Sequence, residues 1–321
     1  MAEAAPRSGP CPVICLAGPT GAGKTALALT LAQELGGEII NADSRQVYAD
    51  FPLITAQPTP AERARAPHHL YGFLPAEQKI SAGRWADMAA AKAREIRARG
   101  RVPLLVGGTG LYFQALLRGM AAIPAIPAEV TRGLCDRLKS AGPEALHAEL
   151  ARADPDYAHR IHPRDRQRIL RALEVLEGTG RPFSWWHSHA MSTPACAGPL
   201  FVLDAPLRWL QPRLAQRLDA MLEAGAVEEA RAALARSPGP RDGARLPGWS
   251  GIGCAELLDH LEGRTSLTEC RARWLANTRA YAKRQITWFR ARPEAVFLPH
   301  EGAEERLIAA ARRFSGPGRG A

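Results

Sequence analysis

Residues 13–25 read Val-Ile-Cys-Leu-Ala-Gly-Pro-Thr-Gly-Ala-Gly-Lys-Thr, a short apolar run that leads into a glycine-rich loop. From Gly18 onward the loop fits the pattern Gly-x-x-x-x-Gly-Lys-Ser/Thr of phosphate-binding loops. Glycines let successive backbone N–H groups turn toward an anion, Lys24 adds a compact positive charge, and the Thr25 hydroxyl can bind Mg²⁺. The pattern does not identify the phosphate compound. The predicted phosphate-binding residues are Gly18, Pro19, Thr20, Gly21, Ala22, Gly23, Lys24 and Thr25.

The loop requires a strand before it and a helix after it, and the neighbouring sequence provides both. Residues 13–17 are apolar enough for a buried strand, and residues 25–35 have a helical pattern. Further short apolar runs, separated by helical segments, occur at 38–42, 102–106, 200–203 and 295–298. One helical segment has Ser81 as its N-cap and Gly100 as its stop. Continuous apolar strands that alternate with helices predict an α/β fold, with a P-loop NTPase-like parallel sheet covered by helices on both faces.

The middle of the chain has a different character. From about Leu117 to Pro199 the sequence shows helical patterns and proline-containing breaks, but no convincing strand. We therefore expect an inserted helical lobe at residues 118–199. The α/β core with its C-terminal helices would then comprise residues 11–117 and 200–314. Disorder is expected at residues 1–10 and 315–321.

Composition limits the class of protein. The 321 residues carry 42 Lys and Arg against 32 Asp and Glu, which gives a net charge of +10. This excess favours a polyanionic partner such as nucleic acid, although an arginine-rich composition that only maintains solubility is the alternative. The six cysteines show no paired spacing, which argues against a disulfide framework and a structural zinc site. No apolar run approaches the ~20 residues of a membrane span, so we expect a soluble, cytoplasmic protein with no membrane partner. We also expect a monomer.

Two polar side chains follow predicted strands. Asp43 comes just after the run at 38–42, and Thr109 follows two glycines after the run at 102–106. Ligands of open parallel sheets bind at the carboxyl ends of the strands, so both residues should lie on the same edge as the phosphate loop. Asp43 can accept a proton from a substrate or hold a metal through water, or it can cap the residues that follow. Thr109 offers a hydroxyl at a helix start, although such turns also occur as plain caps.

Six motifs, in this order over roughly residues 11–298, make the chain similar to a known family. They are Gly-Pro-Thr-Gly-Ala-Gly-Lys-Thr at 18–25, Asn-Ala-Asp-Ser-Arg-Gln-Val-Tyr at 41–48, Ala-Pro-His-His-Leu at 66–70, Val-Gly-Gly-Thr-Gly-Leu-Tyr-Phe at 106–113, Arg-Ala-Leu-Glu-Val at 171–175 and Lys-Arg-Gln-Ile-Thr-Trp at 283–288. Together they resemble the tRNA dimethylallyltransferases of the bacterial type, and the last motif is highly distinctive.

The resemblance implies transfer of a dimethylallyl group from its pyrophosphate to N6 of adenosine 37, beside the anticodon of tRNA. The phosphate loop would then bind the pyrophosphate leaving group, with Mg²⁺ on Thr25 and Arg217 helping to neutralise it. The same resemblance implies that Asp43 is the general base toward the acceptor amine. It also implies an orienting role for Thr109. Because that amine is a poor nucleophile, its positioning should contribute more than its deprotonation.

The resemblance also implies tRNA contacts in three parts of the chain. The first set, at the sheet edge, is Asp43, Ser44, Arg45, Gln46 and Thr109. The second set, in the helical lobe, is Gln167, Arg168, Ile169, Leu170 and Arg171. The third set, near the C-terminus, is Lys283, Arg284, Gln285, Ile286, Thr287, Trp288, Phe289 and Arg290. Basic side chains suit the RNA backbone and aromatic rings can stack on bases, although solvated arginines over a core stripe and a buried Trp288 remain alternatives.

The chain departs from the family pattern in two places. Cys254 and Ala255 stand where the family often has a tyrosine after Gly253, so tRNA contacts at 250–255 stay open, and Thr131 occupies a usually basic position. Two rival functions also remain. A P-loop kinase using ATP and Mg²⁺ would not explain the basic helical segments. A non-catalytic RNA-binding protein would leave Asp43 and Thr109 beside the loop unexplained.

Overall fold

The computed structural model describes residues 9–237 and 246–315. Its β-strands, in chain order, are β1 (Cys11–Pro12), β2 (Ile14–Ala17), β3 (Gly37–Asn41), β4 (His68–His69), β5 (Val102–Gly107), β6 (Cys196–Ala197), β7 (Leu200–Asp204) and β8 (Ala295–Pro299). Its α-helices are α1 (Lys24–Leu35), α2 (Pro60–Arg65), α3 (Ala82–Ala98), α4 (Gly110–Arg118), α5 (Ala128–Ala153), α6 (Pro155–Ala158), α7 (Arg166–Thr179), α8 (Phe183–His189), α9 (Leu207–Glu223), α10 (Ala226–Arg236), α11 (Cys254–Leu261), α12 (Leu267–Arg290) and α13 (Ala303–Ser315).

Six strands form one sheet in the order β4-β3-β5-β2-β7-β8, and every pair in it is parallel. On one face, apolar residues of the strands pack with α1, α9, α12 and α13 in a common core. On the other face Trp85 of α3 is fully buried, stacks on Tyr112 of α4, and donates its indole N–H to the carbonyl of Asn41 in β3 at 3.1 Å. The predicted α/β class with a parallel sheet is therefore confirmed.

Strand register explains why the motifs meet. β2 ends at Ala17, β3 at Asn41 and β5 at Gly107, and in this sheet β5 lies between β3 and β2. Ala17 is paired with Gly107, and Asn41 with Val106, so the three strands end at nearly the same level. The loops that follow them share one edge of the sheet.

The helix boundaries follow the expected capping chemistry. The Ser81 hydroxyl accepts the N–H of Arg84 and begins α3, and α12 begins with a reciprocal pair of hydrogen bonds between Ser266 and Glu269. Gly100, just past α3, has a φ of 72°, a left-handed conformation that costs glycine little. The predicted N-cap and stop of this helix are confirmed.

Residues 118–193 form a second compact unit, which consists of α5 to α8. Its core contains buried side chains of α5 and α7, among them Leu134, Leu150 and Leu173. α5 is interrupted at Gly142, whose φ of 80° lies outside the helical range and precedes Pro143. The sequence placed this lobe at 118–199.

The expectation of no strand between Leu117 and Pro199 is wrong at one point. β6, Cys196–Ala197, pairs in parallel with β1 in the first unit. A two-residue strand is too short to show a periodic pattern, and the same applies to β1 and β4. Of the residues expected to be disordered, 1–8 and 316–321 lie outside the described residues, and α13 extends through Ser315. Among the described helices, none combines the length and apolar character that crossing a membrane requires.

Candidate functional site

The phosphate loop leaves β2 at Ala17 and enters α1 at Lys24. Gly18, Gly21 and Gly23 have φ angles of 150°, 81° and 89°, a range that L-residues with side chains rarely adopt. Gly21 is also constrained by space, since a Cβ there would lie 2.8 Å from Leu214 Cδ2. These positions explain why the loop needs glycines. The first N–H groups of α1 have no partner within the helix, and with the helix dipole they favour an anion at this end.

Lys24 folds back over the loop. Its Nζ donates to the carbonyls of Gly18 at 3.0 Å and Pro19 at 2.8 Å. Burial lowers the pKa of Lys24 to about 8, with Asp43 opposing the shift and Arg217 adding to it. An anion in the loop would give this ammonium a charged acceptor in place of two neutral carbonyls, and such charge-assisted bonds are roughly twice as strong.

The loop borders a cavity of about 510 Å³. Three cationic side chains line it, Lys24 from α1 and Arg213 and Arg217 from α9, together with the carboxylate of Asp43. Burial lowers the pKa of Arg217, while Asp43 opposes the shift. The remaining lining residues are Thr20, Gly21, Gly23, Thr25, Gln46, Thr55, Ala56, Tyr71, Val106, Gly107 and Gln216. A concave site with this excess of positive charge suits a compact polyanion.

Asp43 is held by its neighbours at the end of β3. Its backbone N–H donates to Asn41 Oδ1 at 2.8 Å, and its Oδ1 accepts the N–H of Arg45 at 2.8 Å. Asn41 Nδ2 donates to the carbonyls of Asp43 and Leu70, at 3.0 and 2.9 Å. The carboxylate therefore caps the following turn and also lines the cavity. The two roles that the sequence left open are compatible.

Thr109 links the turn after β5 to the turn after β3. Its N–H donates to the carbonyl of Ala42 at 3.1 Å. Its Oγ1 accepts the N–H of Ser44 at 2.9 Å and donates to Ser44 Oγ at 3.2 Å. The Tyr281 side chain on α12 lies beside Thr109, and burial together with Asp43 raises the pKa of Tyr281. In this structure Thr109 thus orders the residues beside Asp43.

The rest of the first predicted tRNA segment also has structural partners. Arg45 Nη1 donates to Ser250 Oγ at 3.0 Å, so the segment at 250–255 lies beside the turn after β3. Gln46 lines the cavity and donates to the carbonyls of Thr55 and Ala56. Cys254, which departs from the family pattern, is buried in the core.

The second predicted segment lies on α7, where exposure follows the helical period. Gln167, Arg168 and Arg171 are exposed. Ile169 is completely buried in the core of the helical unit and Leu170 packs against that core. Position 169 thus points into the core while 168 and 171 point away from it, and the predicted tRNA contact of Ile169 stays a prediction.

The third predicted segment divides in the same way on α12. The exposed members are Lys283, Arg284, Thr287 and Arg290. Gln285 and Phe289 are buried, and Ile286 is partly buried against the core. Their predicted tRNA contacts stay predictions. Trp288 is half-buried on Gly110, with the Arg292 guanidinium 4.0 Å from its ring centroid. In this structure Trp288 packs against other residues of the chain, which is the alternative role that the sequence left open.

Several features of the site are not predicted by the sequence motifs. Tyr71 reaches the cavity because β4 lies beside β3, and burial together with Asp43 raises its pKa. Arg213 lies four residues before Arg217 on α9, a spacing that puts both on one helix face, and this signal was available in the sequence. Gln285 is one of the predicted tRNA residues, but the sequence carries no signal for its contacts with Thr20 and Gly108, which lie in distant parts of the chain.

Two oxygen-bearing side chains of the cavity could contribute to a Mg²⁺ site. Thr25 and Asp43 both line the cavity, and within 9–237 and 246–315 no group of three or more His, Cys, Asp or Glu side chains could hold a metal on its own. Mg²⁺ usually keeps several waters and takes only one or two protein oxygens together with substrate phosphates. The Thr25 hydroxyl could supply one such oxygen, and Asp43 could contact the ion through a water.

Two family models match the sequence. "IPP transferase" matches residues 46–292, and "Isopentenyl transferase" matches residues 12–71. The tRNA dimethylallyltransferase of Desulfovibrio desulfuricans is 65% identical over 313 residues, which is 98% of this chain and 96% of that protein. The tRNA dimethylallyltransferase of Rhodopseudomonas palustris is 47% identical and covers 96% of each chain.

Two solved structures are similar over nearly the whole chain. The full-length tRNA isopentenylpyrophosphate transferase of Bacillus halodurans has a TM-score of 0.67 and 32% identity, over 95% of both chains. A eukaryotic dimethylallyltransferase acting on tRNA has a TM-score of 0.79 and 31% identity, over 94% of this chain and 79% of that one.

Proposed function

Because the chain belongs to the IPP transferase family, we propose that it takes a dimethylallyl group from dimethylallyl pyrophosphate and attaches it to N6 of adenosine 37 of tRNA. Membership establishes the coarser statement: the chain is an isopentenyl transferase that acts on tRNA. The donor and the acceptor atom are the proposed parts. One observation carries them, namely that the phosphate loop, Asp43 and Arg217 line a single cavity.

The cavity supports a pyrophosphate leaving group. When the allylic carbon–oxygen bond breaks, its electron pair moves to the pyrophosphate oxygen, and the negative charge that develops there must be stabilised. Lys24, Arg213 and Arg217 surround the cavity, and the loop adds backbone N–H groups. These groups already line the cavity before the reaction, so the site is prepared for the charge that develops. Mg²⁺ held by the Thr25 hydroxyl would supply further positive charge to the leaving group.

Asp43 supports the acceptor half of the reaction. As the N6 nitrogen forms its bond to the allylic carbon, it must lose a proton, and Asp43 is the carboxylate of the cavity lining that can accept it. Asn41 and Arg45 hold this carboxylate through the hydrogen bonds described above. Thr109 orders the same turn through Ser44. We assign proton acceptance to Asp43 and orientation to Thr109.

The RNA partner would use the exposed cations of two helices. Arg168 and Arg171 on α7 are exposed and form ion pairs with Asp165 and Glu174. Exposed ion pairs of this kind are worth at most about 1 kcal/mol, so a phosphate can displace the acidic partner at little cost. Exposed Lys283, Arg284 and Arg290 on α12 would serve in the same way. We also propose a cytoplasmic location, which the tRNA substrate and the six free cysteines support.

The test is a donor comparison. The protein is incubated with unmodified tRNA, Mg²⁺ and either dimethylallyl pyrophosphate or ATP, and the nucleosides are separated and identified by mass spectrometry. We expect N6-dimethylallyl adenosine at the position beside the anticodon, and only with dimethylallyl pyrophosphate. A phosphorylated product from ATP would favour the kinase instead, and RNA binding without any chemistry would favour the non-catalytic alternative.

A further inference from the structure

One side of α12 runs along the turn that follows β5. Tyr281 lies beside Thr109, Gln285 donates to the carbonyl of Gly108, and Trp288 packs on Gly110. The three helix residues are spaced four and three apart, which is the spacing of one helix face. This face of α12 therefore supports the turn at 107–110 along its length.

Gln285 makes a second contact, which reaches the phosphate loop. Its Oε1 accepts the N–H of Thr20 at 2.9 Å, while its Nε2 donates to the Gly108 carbonyl at 2.9 Å. The residue is only 4% exposed. A Cβ at Gly108 would collide with the Gln285 amide nitrogen and would displace this side chain. One buried amide thus joins two loops that come from neighbouring strands, β2 and β5.

The contact continues to the acceptor side of the site. Gly108 precedes Thr109, and Thr109 holds Ser44 and Ala42, the residues on either side of Asp43. We propose that Gln285 is a positioning residue that sets the distance between the pyrophosphate loop and the turns carrying Asp43 and Thr109. This inference rests on the proposed function, since the allylic carbon is held from one loop and the acceptor nitrogen from the other. Rates of such reactions are sensitive to misplacements of about 1 Å.

The choice of glutamine follows from the two partners. The Thr20 N–H needs an acceptor and the Gly108 carbonyl needs a donor, and a side-chain amide provides both from one group. Leaving either group unpaired in a buried place is unfavourable. A glutamate carboxylate could accept from Thr20 but could not donate to Gly108, whereas a protonated glutamate could do both. Substitutions that differ in hydrogen-bonding capacity but not in size therefore distinguish a positioning role of Gln285 from a packing role.

The first test is Gln285→Met, which keeps length and removes both hydrogen bonds. The single-turnover rate constant is measured with the full-length enzyme in excess over tRNA and with saturating dimethylallyl pyrophosphate. Under these conditions the measured rate constant does not depend on the fraction of enzyme that is folded. We expect the rate constant to fall roughly 10- to 100-fold, while the Kd for inorganic pyrophosphate changes by less than about threefold, since Lys24 and Arg217 are intact. Gln211→Met, at an exposed position on α9, is the matched control and should react at the wild-type rate.

The second test is Gln285→Glu across a range of pH. Burial and the Gly108 carbonyl both favour the protonated carboxyl, which restores the two hydrogen bonds. The ratio of the variant rate constant to that of wild type should therefore rise as the pH falls. A wild-type rate for Gln285→Met, or a pH-independent ratio for Gln285→Glu, would overturn the proposal. If the wild-type enzyme itself did not transfer the dimethylallyl group, the proposed function would fail instead.

Discussion

At the scale of single residues, the site depends on charged side chains that hydrogen bonds to nearby backbone groups hold in position. The loop glycines, Lys24 and Thr25 could be predicted because their chemistry is contained in eight consecutive residues. Asp43 could be predicted because it follows a strand. The role of Gln285 could not, since its two partners are 265 and 177 residues away and a helical pattern says nothing about contacts over that distance.

Replacing Asp43 by asparagine tests proton acceptance at this scale. Asparagine keeps an oxygen for the Arg45 N–H but cannot take up the N6 proton. We expect kcat to fall by about 10²-fold or more, with dimethylallyl pyrophosphate bound at least as tightly, because a negative charge leaves the cavity. Steady-state kinetics and equilibrium binding of the donor measure the two effects.

Asp87→Asn is the matched control for that variant, because Asp87 is an exposed residue of α3. It should keep the wild-type kcat. A near-normal kcat for Asp43→Asn would remove Asp43 from the role of general base.

The lowered pKa of Lys24 predicts that pyrophosphate binding depends on pH. In the free protein its lowered pKa of about 8 means that the native state loses this proton before the unfolded state does, so its contribution to folding stability rises as pH passes above 8. Bound pyrophosphate favours the charged form. Binding above pH 8 should therefore take up a proton, and affinity should weaken by up to about tenfold per pH unit.

Titration calorimetry in buffers of different ionisation enthalpy measures this proton uptake. Lys24→Arg is the comparison, because arginine stays charged throughout this range, and the difference between the two proteins removes the protonation of pyrophosphate itself. Equal proton uptake by both proteins would show that Lys24 is already charged at these pH values.

At the scale of elements, helical period decides which residues of a motif reach the solvent. The sequence motifs on α7 and α12 are continuous, whereas the surfaces they form are not: Ile169, Gln285 and Phe289 point inward, and their neighbours point outward. The helical period of α12 can be predicted from the sequence. Which side of α12 is buried cannot, because that side packs against the turn at 107–110, which is distant in the chain. Strand β6 has two residues, too few for any pattern.

The exposed side of α7 predicts a change in salt dependence. Arg168→Ala should weaken tRNA binding and reduce the slope of log K against log salt by about 0.7 to 0.9, the value for one lost phosphate contact. Arg152→Ala, an exposed arginine of α5 in the same helical unit, should leave the slope unchanged. Filter binding or fluorescence anisotropy over a salt series measures both. An unchanged slope for Arg168→Ala would make α7 an ordinary solvated helix.

The packing of α12 on α4 predicts an effect on stability. Gly110→Ala would place a methyl group against the Trp288 ring, and overpacking of this kind typically costs about 1 to 3 kcal/mol. Gly133→Ala on α5 has open space around it and should be neutral or slightly stabilising. Thermal unfolding compares the two, and equal Tm values would contradict the close contact between Gly110 and Trp288.

At the scale of the whole molecule, the sequence could predict the α/β class and the parallel sheet, because strand and helix patterns alternate. It could also predict a separate helical unit, because strand patterns are missing from the middle of the chain. The boundary of the helical unit was placed at 199, whereas the unit seen in the structure ends at Thr193. Residues 196–197 belong with the sheet unit through their pairing with β1, a contact that only the folded chain reveals. The net charge of +10 agrees with an RNA substrate at this scale.

The central claim is that the phosphate loop holds the pyrophosphate that leaves during prenyl transfer to tRNA. The most direct measurement follows both products of one reaction, inorganic pyrophosphate and prenylated tRNA, for the wild-type protein and for Lys24→Ala. The claim predicts one pyrophosphate released for each adenosine modified, and loss of both products together in the variant. Prenylated tRNA formed at the wild-type rate by Lys24→Ala, or without matching release of pyrophosphate, would contradict it.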